Sequence, residues 1–259
     1  MAGVSVLIPA YQAAAHIYPT VTTARELPGV ERVVVVDDGS TDDTASLAEA
    51  AGAVVLRLPA NMGKGEALNR GVPLLSGRLV LLLDADLEAS AGQAWRLLEP
   101  LVRGEAEVSI GVPLPREECC QIPGGGLPEG VKGGGLGLAR GLAALGIYAF
   151  TGRRLQAPLS GQRAMTRRGL ERLLPLARGF GVEVAMTVRA HRLGMRVVEV
   201  EMPFTHAVTG RDLRGFYHRG RQFLDISRAL WLCLRESREE PAEPRGGRIW
   251  RPRQPRQGN

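Results

Sequence analysis

The sequence predicts an α/β fold with a mainly parallel sheet flanked by helices. Three observations carry that reading. Short apolar runs bounded by turn residues recur up to residue 114, helix-length segments separate them, and a polar cluster follows most of the runs. Repetition of strand, helix and strand implies right-handed crossovers between neighbouring parallel strands.

Taken in order, "VSVLI" (4–8), "RVVVVD" (32–37), "AVVLRL" (53–58) and "RLVLLLD" (78–84) read as strands because they are short and rich in β-branched residues or leucine. Between them lie "AAAHIYPTVTTARELPG", "STDDTASLAEAAG" and "NMGKGEALNRGVPLLSG", of helix length, with a Ser/Thr/Asp start in the second and glycine stops. "AEVSIGVPL" (106–114) continues the sheet. Proline and glycine then crowd residues 111–137, which predicts a mobile loop of the kind that forms lids. "LGLARGLAALGIYAF" (136–150) is apolar on most sides, so it is either a buried helix or one that meets a lipid or partner surface. After "PLSGQRAMTRRGLERLL" come a helix over 181–194, a strand over 195–204 and a long helix from Asp212 to Glu240. The expected organisation is one domain over 1–240, with a nucleotide-binding half (1–110) and an acceptor-side half (111–240). A disordered basic tail over 241–259 completes the chain.

Bulk properties narrow the function classes. A chain of 259 residues that is 44% apolar can bury a sizeable core. It contains no apolar stretch long enough to span a bilayer and no secretory leader, so the expected location is cytoplasmic, with a peripheral position at the inner membrane face as the alternative. Cys119, Cys120 and Cys233 have neither disulfide nor metal-ligand spacing and read as free thiols. The net charge of +6 comes from 33 basic against 27 acidic residues, with much of the excess after position 205. That asymmetry favours an anionic partner. Nucleic acid is not expected, because no zinc, helix-turn-helix or aromatic-interleaved basic pattern occurs; a phosphorylated molecule or an anionic membrane surface fits better.

Open parallel sheets bind ligands beyond the carboxyl ends of their strands. Four clusters fall there: Pro9-Ala10-Tyr11-Gln12, Asp37-Asp38-Gly39-Ser40, Asn61-Met62-Gly63-Lys64-Gly65 and Asp84-Ala85-Asp86. Ser40, Asp42 and Asp43 read as helix-capping residues. Asp37 and Asp38 precede the cap, where an acid can accept a hydrogen bond from a base N–H or a ribose hydroxyl. Lys64 at a helix start favours phosphate, although the spacing is not a Walker motif. Strand alternation would point Asp84 and Asp86 the same way, so a cation is expected beside them, and Mg2+ or Mn2+ prefers such oxygens.

With those clusters in this order, the sequence resembles the family 2 nucleotide-sugar glycosyltransferases of GT-A fold, a Rossmann-like architecture. The likeness runs through "VSVLIPAYQ", "VVVVDDGSTDDT", "NMGKGEALNRG", "LVLLLDADLE", "LSGQRAMTRR" and "GFGVEVAMTVRAHRLGMRVVEVEMPFTH", and departs at Gln12, where the usual pattern has Asn followed by Glu. The resemblance implies that Pro9, Ala10 and Tyr11 frame the nucleobase and that Asp38, with Asp37, holds base or ribose. Gly63 and Lys64 would lie near the nucleotide, Asp84 and Ala85 near the ribose, and Asp86 on a metal bridging the diphosphate. Dolichyl-phosphate mannose synthases have a further metal-holding group two residues on, which maps to Glu88. Glucosyl-3-phosphoglycerate synthases share "GKGEAL" and segments like "PLSG" and "GFGVE", and use a histidine past the last strand, here His206. Asp84 would share the metal, and Arg211 would contact phosphate, with His218 and Arg221 as further candidates. Glu183 would lie near sugar or acceptor as a catalytic base beside the catalytic metal ligand Asp86.

For the acceptor, Gly152, Arg153 and Arg154 supply an arginine pair suited to phosphate. A polyprenyl phosphate would also explain the apolar 136–150 helix; a soluble acid such as 3-phosphoglycerate would need only the arginines. The resulting expectation is metal-dependent transfer of a hexose from a nucleotide-diphosphate sugar, a UDP-sugar in preference, to a phosphorylated acceptor. A non-catalytic nucleotide-sugar binding protein is the alternative. A dinucleotide oxidoreductase would need G-x-G-x-x-G where "PAYQ" stands, and a haloacid-dehalogenase-like phosphatase would carry its Asp-x-Asp after the first strand.

Overall fold

A computed structural model describes residues 3–114, 137–203 and 213–239. Seven strands form one sheet in the order β3-β2-β1-β4-β6-β5-β7. They are β1 (Val4–Ala10), β2 (Val30–Asp37), β3 (Val54–Arg57), β4 (Leu79–Leu82), β5 (Val108–Pro113), β6 (Arg163–Thr166) and β7 (Val197–Met202). All pairings are parallel except those of β6, which runs antiparallel to both β4 and β5. The mixed, mostly parallel α/β sheet flanked by helices matches the predicted class.

Alternation along the strands builds two cores. Val6, Ile8, Val33, Val35, Leu79 and Leu81 face one side, under α1 (Ile17–Arg25) and α4 (Trp95–Val102). Leu7, Val34, Val36, Val80 and Leu82 face the other, under α3 (Lys64–Gly71), α6 (Arg167–Leu173) and α7 (Val182–Arg192). That period of two is the pleat itself, and each fully buried aliphatic side chain contributes about 1.5–3 kcal/mol. In α1 the buried positions Ile17, Thr20, Val21 and Ala24 recur at helical spacing, so one face closes on the sheet. α2 (Thr44–Ala50) links β2 to β3.

A third cluster unites α5 (Gly137–Thr151) and α8 (Leu213–Glu239) with α7. These two helices lie where the sequence predicts them, within a residue at each end. β4 closes at Leu82, however, and Asp84–Asp86 form a turn, so their relation is set by that turn rather than by strand alternation. β6 has no counterpart in the sequence reading. The predicted 241–259 tail, Cys119 and Cys120 lie outside the described residues, as does most of the predicted 111–137 loop.

Candidate active site

Parallel strands bring their carboxyl ends to one rim, and antiparallel β6 brings its amino end to the same rim. Ala10 pairs with Asp37 across β1 and β2, and Leu82 pairs with Arg163 across β4 and β6. The clusters after β1, β2 and β4 therefore meet the segment Gly161-Gln162 that leads into β6.

The first half of the rim is stitched by backbone amides. Asp38 is buried, and its two carboxylate oxygens accept from the amides of Met62 (2.7 Å) and Gly63 (2.8 Å). Its own amide donates to Ala10 O at 2.8 Å. Buried Asp37 accepts from the Ser40 amide at 3.1 Å. Gly63 then starts α3 with φ +89°, a conformation that costs glycine nothing and presents Lys64 as the first helical residue. Pro9 is half-buried, Ala10 buried, and Tyr11 half-exposed at the lip. Gln12 sits in the left-handed region and donates to the Thr41 hydroxyl at 2.8 Å.

The second half is built on facing charges. Lys64 Nζ lies 2.6 Å from Asp84 Oδ1 and 2.7 Å from Glu183 Oε1. Burial disfavours the ammonium, but the two carboxylates outweigh it and hold the Lys64 pKa above its usual value. Asp84 Oδ2 also accepts from Gln162 Nε2 at 2.8 Å. Glu183, at the first turn of α7, is only 4% exposed. A Cβ added at Gly161 would fall 2.5 Å from both Asp84 oxygens and 2.6 Å from Lys64 Nζ, so glycine leaves the room this triad occupies.

Behind it stands Arg163, fully buried, donating to Ser160 O (2.9 Å) and the Thr187 hydroxyl (2.9 Å). Burial pushes its guanidinium down to about 10, against the opposing pull of Glu183, Asp84 and Glu199. Its Nη2 is buried with no hydrogen-bond partner among the described residues.

Asp86 is half-buried in the turn, two residues after Asp84. Thr20 pins that turn: its hydroxyl bonds Ala85 O (3.0 Å) and accepts from the Glu88 amide (2.8 Å). Glu88 has φ +48° and turns its carboxylate to His16 Nδ1 at 2.6 Å. Asp84 and Asp86 offer the oxygen donors a hard divalent ion takes. Among the described residues, though, no three His, Cys, Asp or Glu side chains form a group that could hold a metal, so the structure does not assemble Asp84, Asp86 and Glu88 as one ligand set. His206 and Arg211 lie outside the described residues, and the side chains of His218 and Arg221 are also undescribed.

Gly152, Arg153 and Arg154 follow α5. Gly152 has φ +67°, and Arg154 stacks over the Tyr148 ring at 5.4 Å. Burial, with help from the charge of Arg153, lowers the pKa of His191 near the carboxyl end of α7.

The comparisons with known proteins fit this rim. Residues 5–121 match the model of "Glycosyl transferase family 2". The chain is 31% identical over 211 residues to the Glycosyltransferase AglJ of Haloferax volcanii, covering 81% of this chain and 65% of that one. It is 33% identical over 222 residues to the glucosyl-3-phosphoglycerate synthase of Mycobacterium tuberculosis, covering 75% and 63%. The chain belongs to glycosyl transferase family 2. It spans about 65% or less of the length of these curated relatives. Among solved structures, the Mycobacterium tuberculosis synthase with Mn2+, UDP-glucose and phosphoglyceric acid superposes with a TM-score of 0.69 at 29% identity, over 89% of this chain and 80% of that one. Another structure of that synthase holds Mg2+ and UDP.

For a family 2 chain, the residues that sequence reasoning missed are instructive. "SGQRAMT" is quoted in the resemblance, yet nothing local marks Gly161, Gln162 and Arg163 as neighbours of Asp84 and Glu183. The available signal was an arginine opening a short run before "AM", a charge without an obvious solvent face.

Proposed function

We propose that this protein transfers a hexose from a UDP-sugar to a phosphorylated acceptor, with residues 1–110 on the donor side and 111–240 on the acceptor side. The observation that carries the proposal is the Lys64 ammonium shared by Asp84 and buried Glu183 on the rim, with Asp86 two residues after Asp84. Likeness to a synthase solved with UDP-glucose and phosphoglyceric acid supports the substrate classes.

In this reading Tyr11 packs against the base, while Asp38 shapes its pocket by fixing the loop to Lys64 and Asp37 by fixing the turn at Ser40. Asp84 and Asp86 would hold Mg2+ or Mn2+, with His206 as a further ligand, Glu88 being engaged by His16. That ion, when bound, supplies positive charge against the departing diphosphate. Lys64 adds a second positive charge beside the same oxygens, and Arg211 a third. Glu183 would take the proton of an acceptor hydroxyl; an acceptor phosphate is already ionised and needs no base. Gly152, Arg153 and Arg154 would receive the acceptor's phosphate.

The test is a panel of UDP- and GDP-hexoses with Mg2+ or Mn2+, scored first for hydrolysis without acceptor and then for transfer to polyprenyl phosphate and to 3-phosphoglycerate. Metal-dependent turnover of a UDP-hexose is the expected result. Binding of nucleotide sugars without turnover under every condition would mark a non-catalytic binding protein. Transfer to 3-phosphoglycerate is the second reading, favoured by the phosphoglyceric acid in the related synthase.

A further inference from the structure

α5 and α8 lie side by side on α7, and their outward faces are unlike a solvated surface. Ala139, Ala143 and Ile147 of α5 meet Val184, Ala185 and Val188 of α7 and Ile226, Ala229 and Cys233 of α8 in one buried cluster. A Cβ at Gly146 would fall 2.4 Å from Leu230, so glycine there lets the two helices close on each other. Burial of those faces leaves the opposite positions to water. On α5 these are Leu138, 82% exposed, then Leu145 and Tyr148, spaced by seven and three residues along one stripe. On α8 they are Phe223, Leu224, Trp231 and Leu234, again at helical spacing. Across its whole length α5 carries a single charged residue, Arg140.

Both acids among the described side chains of α8 are engaged by other groups of the fold. Asp225 keeps its side chain 12% exposed and accepts from the Phe180 amide, and Glu236 pairs with Arg189 of α7. Arg228 is 77% exposed while reaching back to Asp225 Oδ1 at 3.7 Å, and Arg235 stacks over Trp231 at 5.0 Å. Tyr148 carries Arg154 in the same way. The sequence that follows α8 has Arg245, Arg248, Arg251, Arg253 and Arg256 and no acid after Glu243. An aromatic ring with an arginine upon it suits the headgroup layer of a bilayer, where the ring is half apolar and the cation meets phosphate. An isologous contact with a second copy would instead bring arginine-flanked stripes together with few acids to meet them.

We propose that the outward faces of α5 and α8 form a lipid-docking surface that seats the protein on a bilayer containing anionic phospholipid. Tyr148 and Trp231 lie at headgroup depth, the leucines beneath them, and Arg154, Arg228 and Arg235 on the phosphates. The inference deepens the phosphorylated-acceptor reading: α5 runs directly into Gly152-Arg153-Arg154, so docking brings a lipid-borne phosphate toward the segment assigned to the acceptor.

Sedimentation of the full chain with extruded vesicles tests this without any turnover. Vesicles of phosphatidylcholine alone are compared with vesicles in which about a third is phosphatidylglycerol. The wild type co-sediments with the anionic vesicles at least about tenfold more strongly than with the neutral ones, and rising salt releases it. The double variant L145E/W231E loses that binding by about tenfold or more, as does R228E/R235E, both with unchanged circular dichroism. Wild-type protein that stays in the supernatant with both compositions overturns the proposal. Light scattering that shows a dimer, dissociated by L145E/W231E, together with no vesicle binding, overturns it in favour of a second copy on this face. Vesicle binding with no sugar transfer to any acceptor leaves the docking surface standing and removes the enzymatic reading instead.

Discussion

The two halves of the rim use carboxylates in opposite ways. Around β1 and β2 the acids are held by backbone: Asp37 by the Ser40 amide, Asp38 by the amides of Met62 and Gly63, and Asp42 by those of Ala14 and Thr44. Around β4, β6 and α7 the carboxylates of Asp84 and Glu183 face a side-chain cation that both share. An acid fastened to amides shapes a loop and resists exchange, whereas one fastened to a lysine can trade that partner for an incoming ion or phosphate. The first half is therefore built as scaffold, and the second carries the charges that a ligand could exchange.

The largest effect that would sharpen this contrast is on transfer. Asp86→Ala is expected to lower metal-dependent transfer by on the order of a thousandfold. The fold should persist, with the melting temperature lowered by no more than a few degrees, about what a loss of roughly 1 kcal/mol gives. Steady-state kinetics beside a thermal melt read both. Near-wild-type turnover would remove Asp86 from the chemistry.

Next comes Lys64→Met, which leaves Asp84 and Glu183 without their shared counter-ion. Breaking a fully buried pair costs about 3–5 kcal/mol; Asp84 retains 25% side-chain exposure, so about 2–4 kcal/mol is expected here. Because the Lys64 pKa is raised in the folded state, its contribution is complete below the unfolded lysine value of about 10.4 and fades only as pH climbs through the higher folded value. Urea unfolding at pH 7 and pH 9 should thus give the same difference between wild type and variant. A difference that shrinks over that window would mean the ammonium is not held as described.

The contrast also explains what could be read from sequence. β1 to β4 announce themselves as β-branched or leucine runs, and their terminal clusters fall on the rim by the rule for parallel sheets. β6 does not, because "RAMT" is four residues long with two apolar side chains and opens on an arginine. Burying Arg163 makes sense only once Asp84, Glu183 and Glu199 surround it, and those neighbours come from β7, from α7 and from the turn after β4. The same holds for Lys64. Its place at a helix start suggests phosphate, but its partnership with Glu183 depends on the sheet bringing α3 and α7 together. Local pattern fixes where a group sits along an element, and tertiary contact decides what it touches.

Asp38→Ala probes the scaffold half directly. Removing a buried carboxylate that accepts two amides should destabilise the fold by about 2–4 kcal/mol, since hydrogen bonds to a charged acceptor are worth about 1.5–3 kcal/mol each and are only partly replaced by water. The midpoint of a urea titration should fall accordingly. If stability is kept while nucleotide affinity collapses, Asp38 is a ligand contact first and the contrast between the halves fails at that position.

The smallest effect tests the same contrast by pH. Slight burial works to raise the Asp42 pKa, but the hydrogen bonds from the Thr44 hydroxyl at 2.5 Å and from the amides of Ala14 and Thr44 prevail, and the carboxyl titrates below its usual range. A depressed folded pKa contributes stability above the unfolded value of about 3.9 and loses it as pH falls through the folded one. Asp42→Asn should therefore cost about 0.5–1 kcal/mol at pH 7, small because the site is exposed, and progressively less as pH falls below the usual carboxylate range. Paired urea titrations across that range would show the difference shrink on acidification. A gap that persists undiminished at low pH would mean that the amide of asparagine fails on geometry, and that charge at Asp42 plays no part in joining the loop after β1 to α2.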